Sequence, residues 1–186
     1  MRQGLVMYGP PASGKDTVTA ALCELDPCYQ HFERLKVGPG RVTGYRMTTL
    51  ENLARLRAAG SILWENARYG AVYVVDRPSL VRTEDDTIPV VHLGQVAAVN
   101  AVTRGTPEIS WVVVQLWSDR QTAATRITER ATGDIAARLR AWDETEWLDN
   151  ANLTIDTSAV SPAEAADLIH RVVSSRWLSR DSAARG

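Results

Sequence analysis

The run Gly9-Pro10-Pro11-Ala12-Ser13-Gly14-Lys15-Asp16-Thr17 holds the residues whose types and spacing most plainly imply chemistry. Gly9, Gly14 and Lys15 fit G-x-x-x-x-G-K, after the apolar stretch Leu5-Val6-Met7-Tyr8 and before a helical pattern, which is the context such a loop needs. Glycines let backbone N–H groups converge on phosphate oxygens, and a helix N-terminus adds roughly half a positive charge. Lys15 supplies a mobile point charge for the β and γ phosphates of a nucleotide such as ATP. Asp16 stands where such loops place a Ser or Thr on Mg2+, and Thr17 follows. Asp16 reads either as a favourable first-turn charge or as a metal ligand acting through water, and Thr17 is the other metal candidate.

A second set of residues is cationic. Lys15 and Lys36 are the only lysines, and arginine supplies every other cation. Arg34, Lys36 and Arg41 precede Tyr45, while Arg126, Arg130 and Arg138 fall late in the chain. Arginine gives planar, two-pronged contacts to phosphate that lysine does not. Cation groups this far apart suit phosphoryl transfer, which needs two phosphates brought in line, their repulsion neutralised and water excluded. Each has a plainer reading. Arg126 and Arg130 at i, i+4 also describe a solvated helix face beside Glu129, Glu65 a strand-edge acid, and Tyr45 and Tyr73 half-buried packing residues. His92 reads first as a hydrogen-bonded core histidine and second as a base; Asp76 reads as a loop acid or, after its apolar run, as a metal ligand.

The elements that must position these groups alternate. Apolar runs at Leu5–Tyr8, Phe32–Val37, Ile88–Leu93, Ile109–Leu116 and Leu153–Ile155 predict strands. Helical spacing is predicted over Asp16–Leu25, Leu50–Ala59, Gln95–Val102, Arg120–Ala131, Ile135–Trp147 and Pro162–Trp177. Gly38-Pro39-Gly40 is a strong break, Arg41–Thr49 reads as short strands or loop, and further apolar runs lie at Ile62–Trp64 and Ala71–Val75. Continuous apolar strands alternating with helices imply an α/β fold of three layers around a parallel sheet. At 186 residues a single domain is expected. Its expected parts are an insertion over 38–80, a lid over 120–140 and a frayed tail over 179–186. A net charge of -1 draws the chain to neither nucleic acid nor an anionic membrane. Cys23 and Cys28 form no disulfide framework. No stretch reads as a signal or membrane-spanning segment, so a cytoplasmic monomer or homodimer is expected.

On these residues the chain resembles the P-loop nucleoside monophosphate kinases, most closely their guanylate-kinase-like branch. The loop with Thr17 two places after Lys15 is similar to the G-P-P-x-x-G-K-x-T of adenylate kinases. Gly60-Ser61-Ile62-Leu63-Trp64-Glu65 and Gly70-Ala71-Val72-Tyr73 are similar to the acceptor segment of guanylate kinases. The resemblance implies a five-stranded parallel sheet with a small acceptor-binding subdomain and a short lid. It also implies transfer of the γ-phosphoryl group of Mg2+-ATP to a purine nucleoside monophosphate, GMP or dGMP first. Glu65 would read the purine edge, and Tyr45 and Tyr73 would hold the acceptor phosphate with Arg34, Lys36 or Arg41, among which spacing does not choose. Arg126, Arg130 and Arg138 match the lid arginines, and Asp156-Thr157-Ser158 the loop bordering the ATP adenine. Two segments depart from the family. Val91-His92-Leu93-Gly94-Gln95 carries no acid where the family has aspartates, and Tyr73 is followed by Val74-Val75-Asp76 where it has Y-G-[ST]. Kinases of ribose 1,5-bisphosphate share Gly14-Lys15-Asp16, which makes another phosphorylated metabolite or a modified nucleotide the alternative acceptor. A non-catalytic guanylate-kinase-like module is the third reading, although such modules typically lose the lysine.

Overall fold

A computed structural model describes residues 2–82, 86–129 and 134–183. Strand β1 (Arg2–Tyr8) lies at the centre of a five-stranded sheet with β2 (Tyr29–His31), β7 (Ile88–Leu93), β8 (Ile109–Trp117) and β9 (Leu153–Asp156), in the order β2-β7-β1-β8-β9. Every pairing in it is parallel. The period-two alternation of β1 sends its side chains to two different cores. Leu5 and Met7 meet Val18 and Leu22 of α1 (Lys15–Leu25) and Ala166, Ile169 and Val173 of α7 (Pro162–Ala183). Val6 and Tyr8 meet Ala98, Val99 and Val102 of α4 (Val96–Gly105) on the other side. Burial on both faces is why β1 and β7 read as unbroken apolar runs.

A second sheet, ordered β4-β3-β6-β5, is built from β3 (Arg34–Val37), β4 (Tyr45–Met47), β5 (Ile62–Arg68) and β6 (Ala71–Asp76). One face packs Leu35 and Val74 on Leu53 of α2 (Leu50–Ala58), a helix started by the Thr49 hydroxyl accepting from the Asn52 N–H. The other face is the cleft wall described below. Because β3 joins this sheet, the inserted unit begins at Arg34 rather than at residue 38. It ends past α3 (Arg77–Val81), a short helix capped by the Asp76 carboxylate. Asp76 also takes the guanidinium of Arg46 and is buried, so it is a structural acid.

The late helices are α5 (Arg120–Glu129) and α6 (Ile135–Asp143), tied together by the Arg120–Asp143 ion pair. Helix α6 stops short of Trp147; beyond it the Leu148 N–H donates to the buried Gln115 side chain at 2.8 Å. Helix α7 opens on a capping box in which Ser161 and Glu164 accept from one another's backbone N–H. It runs on past Trp177 to Ala183, so most of the tail read as frayed is helical. Residues 184–186 lie outside the described residues. No helix of the described residues is long and apolar enough to cross a membrane.

Candidate functional site

The loop between β1 and α1 is shaped by its glycines. At Gly9 φ is +154°, and a Cβ there would sit 2.2 Å from the Leu116 carbonyl oxygen. Gly14, with φ +88°, is the N-cap residue of α1 and offers no side-chain cap. Without a capping side chain the first N–H groups of the helix stay available to a phosphate, while Asp16 places a carboxylate in the first turn. Lys15 folds back over the loop, its Nζ donating to Gly9 O at 2.8 Å, Pro10 O at 2.7 Å and Ser13 Oγ at 3.0 Å.

Lys15 opens on a cleft of about 840 Å³ between the two sheets. Its far wall is the second sheet. Tyr45 of β4, Arg34 of β3, Tyr73 of β6 and Asn66 and Arg68 of β5 all line it, with Arg41 and Tyr69 from loops and Arg138 from α6. The Tyr45 and Tyr73 rings lie 5.3 Å apart, and the Arg34 guanidinium sits 5.7 Å and 5.4 Å from their centroids. Such cation–π contacts fix the arginine in place without neutralising it. The structure thus gathers Lys15, Arg34, Arg41, Tyr45, Tyr73 and Arg138 around one space.

Three expected residues fall elsewhere. Glu65 is opposite Val74 on the α2 face, exposed and paired with Arg57 at 3.1 Å. Asn66, opposite Tyr73, takes the cleft position instead. Lys36 is buried beneath the cleft wall, donating to Arg41 O at 2.7 Å and facing both tyrosine rings at 5.5 Å and 5.6 Å. It props the 38–44 loop that carries Arg41. Arg126 donates to Ala12 O, to Thr157 Oγ1 at 3.0 Å and to Thr157 O at 2.8 Å. It lines a second hollow of about 350 Å³ with Thr17, Glu129, Thr157, Val160 and Pro162. Thr157 of that hollow belongs to Asp156-Thr157-Ser158, the segment that the resemblance sets beside the ATP adenine. Arg130 lies outside the described residues.

Asp16, a cleft acid, has a cationic and an imidazole partner. Its Oδ2 lies 3.1 Å from Arg41 Nη1 and its Oδ1 3.4 Å from His92 Nδ1. A carboxylate only accepts, so His92 carries its proton on Nδ1, and the Thr19 hydroxyl donates to Nε2 at 2.7 Å. The hydrogen bond from His92, with Arg41 beside it, holds the Asp16 carboxyl well below the usual carboxylate range. Burial pulls His92 down to about 4. Each Asp16 oxygen keeps lone pairs and the side chain is 48% exposed, so it fits a Mg2+ ion held through water. Thr17 lines the second hollow, not the Lys15 cleft. Among the described residues no three His, Cys, Asp or Glu side chains gather around a common point.

A pH dependence follows from His92. Unfolded, it takes up its proton near 6.5; folded, it stays neutral down to about 4. The stability it contributes is therefore complete above pH 6.5 and lost as the pH falls towards 4. Urea unfolding in metal-free buffer at pH 7 and at pH 4.5 measures this, and His92→Asn is expected to flatten the slope between them.

Asn66, Arg68 and Tyr69 were not singled out from the sequence. The available signal was the turn Arg68-Tyr69-Gly70, where Tyr69 has φ +53° and Gly70 +73°, with Trp64, Asn66 and Arg68 alternating against Glu65.

No protein-family model matches the chain, and no curated protein is similar to it in sequence. Solved structures are similar in fold. A guanylate kinase from Anaplasma phagocytophilum superposes with a TM-score of 0.62 at 17% identity, over 94% of this chain and 86% of that one. A sugar kinase from Janibacter sp. gives 0.54 at 15% identity, over 91% and 92%. The chain has the α/β fold of these kinases, a parallel five-stranded sheet flanked by helices.

Proposed function

We propose that the protein is a phosphotransferase that moves the γ-phosphoryl group of ATP to the phosphate of a small phosphorylated acceptor. One observation carries this reading: the uncapped α1 N-terminus with Lys15 opens on the same cleft that Arg34, Arg41, Tyr45, Tyr73 and Arg138 line from the other side. The loop amides and Lys15 hold the donor's phosphate chain, with the hollow beside Arg126 and Thr157 taking its base. Arg34 and the two tyrosine hydroxyls hold the acceptor phosphate facing it. Arg138, on α6, supports charge on the group in transit, and the enclosing walls displace water. Electrostatic placement of this kind is most of what phosphoryl transfer asks of a protein. Mg2+ arriving with ATP would neutralise charge on the β and γ phosphates, and Asp16 is the residue that fits it, through water.

Purine nucleoside monophosphates, GMP and dGMP first, are the acceptors the family resemblance suggests. The outward turn of Glu65 favours a second reading, in which the acceptor is another phosphorylated metabolite such as ribose 1,5-bisphosphate. Retention of Lys15 in an open cleft counts against a non-catalytic module. The test is ADP release from Mg2+-ATP against GMP, dGMP, AMP, CMP, UMP, dTMP and ribose 1,5-bisphosphate, with Lys15→Ala as the blank. Release with none of them, together with no ATP binding, would discard the phosphotransferase reading. Glu65→Gln is expected to leave the KM of every acceptor unchanged, because the side chain faces α2; a raised acceptor KM would restore Glu65 to the site.

A further inference from the structure

The Asn66 carbonyl oxygen, Oδ1, is buried and has no hydrogen-bond partner. Of the buried unpartnered side-chain atoms among the described residues, it is the one whose residue lines the cleft. A buried acceptor left unpaired is destabilising until a water or a ligand completes it. The surroundings say which end of a ligand it meets. Asn66 sits across from Tyr73 and two residues from Arg68 on the same strand face, beside the cations and tyrosines assigned to the acceptor phosphate.

We propose that Asn66 selects the acceptor by taking, on Oδ1, a hydrogen bond from a hydroxyl or amino group of the phosphorylated molecule. This rests on the phosphotransferase reading above and narrows it. A carboxylate in this place would pair with the two adjacent N–H donors of a guanine edge. An amide offers one acceptor beside one donor, which complements an adenine-type edge or a sugar diol instead. Placing Asn66 rather than Glu65 in the wall therefore changes the kind of acceptor admitted.

The test is calorimetric titration of the full chain with AMP, GMP, ribose 5-phosphate and inorganic phosphate, and separately with Mg2+-ATP. AMP and ribose 5-phosphate distinguish a base amino group from a sugar hydroxyl as the donor. The wild type is expected to bind one of these two more tightly than inorganic phosphate. Asn66→Leu, of similar size, should weaken that compound by about tenfold or more, because the site's polar pairing is lost. Its affinity for inorganic phosphate and Mg2+-ATP should not change. Asn66→Asp keeps an acceptor oxygen; it should retain the donor-bearing compound and raise the preference for GMP by about tenfold. Retention by Asn66→Asp also guards against a leucine variant that fails to fold. The proposal is overturned if Asn66→Leu binds like the wild type, or if Mg2+-ATP binds and neither AMP nor ribose 5-phosphate exceeds inorganic phosphate. Absence of Mg2+-ATP binding in the wild type would instead remove the phosphotransferase reading on which it stands.

Discussion

Lys15→Met is expected to lower ADP release by about a thousandfold while the chain stays folded. The methionine keeps the apolar stem and removes the ammonium that meets Gly9 O, Pro10 O and Ser13 Oγ. Those three contacts fold the side chain over the loop. With a nucleotide present, the same ammonium leaves neutral carbonyls for phosphate oxygens that bear full charge, and charge-assisted bonds of this type are the stronger ones. The loss should therefore fall on kcat and on ATP affinity together, with the circular dichroism spectrum and Tm nearly unchanged. Steady-state ADP release and thermal melting measure both sides. Turnover within about tenfold of the wild type would mean that Lys15 does not meet the transferred group.

Gly9→Ala should do damage of another kind. The added methyl would stand 2.2 Å from the Leu116 carbonyl oxygen and 2.7 Å from Ser13 Oγ, in a backbone with φ +154°. Serine can rotate away; the Leu116 carbonyl belongs to β8, held between β1 and β9 in the sheet, and cannot. Relief requires the loop to move off the end of β8, which also breaks the Gly9 N–H bond to Leu93 O at 3.1 Å. Clash and strain together should cost about 2–4 kcal/mol, seen as a fall in Tm on the order of 10 °C. ATP binding should disappear even at temperatures where the variant remains folded. A variant that melts and binds ATP like the wild type would show that the loop has slack which the structure lacks.

Much of this architecture was legible in the residues. β7 and β8 were read almost to their ends because strands covered on both faces must be apolar throughout. β2 was not, since Tyr29–His31 has three residues and only Tyr29 is buried. Asp76, Pro78 and Ser79 did carry a helix-start signal for α3, but its five residues are too few to give a period. Of the residues that the resemblance implied for the acceptor, Arg34, Arg41, Tyr45 and Tyr73 line the cleft. The error at Glu65 has a definite cause. Neighbours on a strand face opposite ways, and only the pairing with β6 decides which of Glu65 and Asn66 meets the cleft. Lys36 was one of three candidate phosphate cations, and its burial depends on the 38–44 loop folding over it, which the local sequence does not show. Arg126 depended on contacts with Ala12 and Thr157, far away in sequence, which spacing along a helix cannot reveal.

The cleft arginines are seldom without an acid. Arg41 meets Asp16, Arg138 meets Asp134, and Arg68 lies 3.6 Å from Glu144. An anion arriving at any of these three would compete with a carboxylate, whereas Arg34 is held by the Tyr45 and Tyr73 rings. A surface pair such as Arg41–Asp16 is worth about 1 kcal/mol or less, so replacement there is easy, and meanwhile the guanidinium group is kept extended and aimed. A singly charged ion such as chloride gains nothing over the carboxylate it would displace. A phosphate dianion, with more charge and more oxygens to share between two guanidinium groups, does. The paired acids would thus act as the cleft's own competitors, and they would favour anions of high charge density before any shape is read.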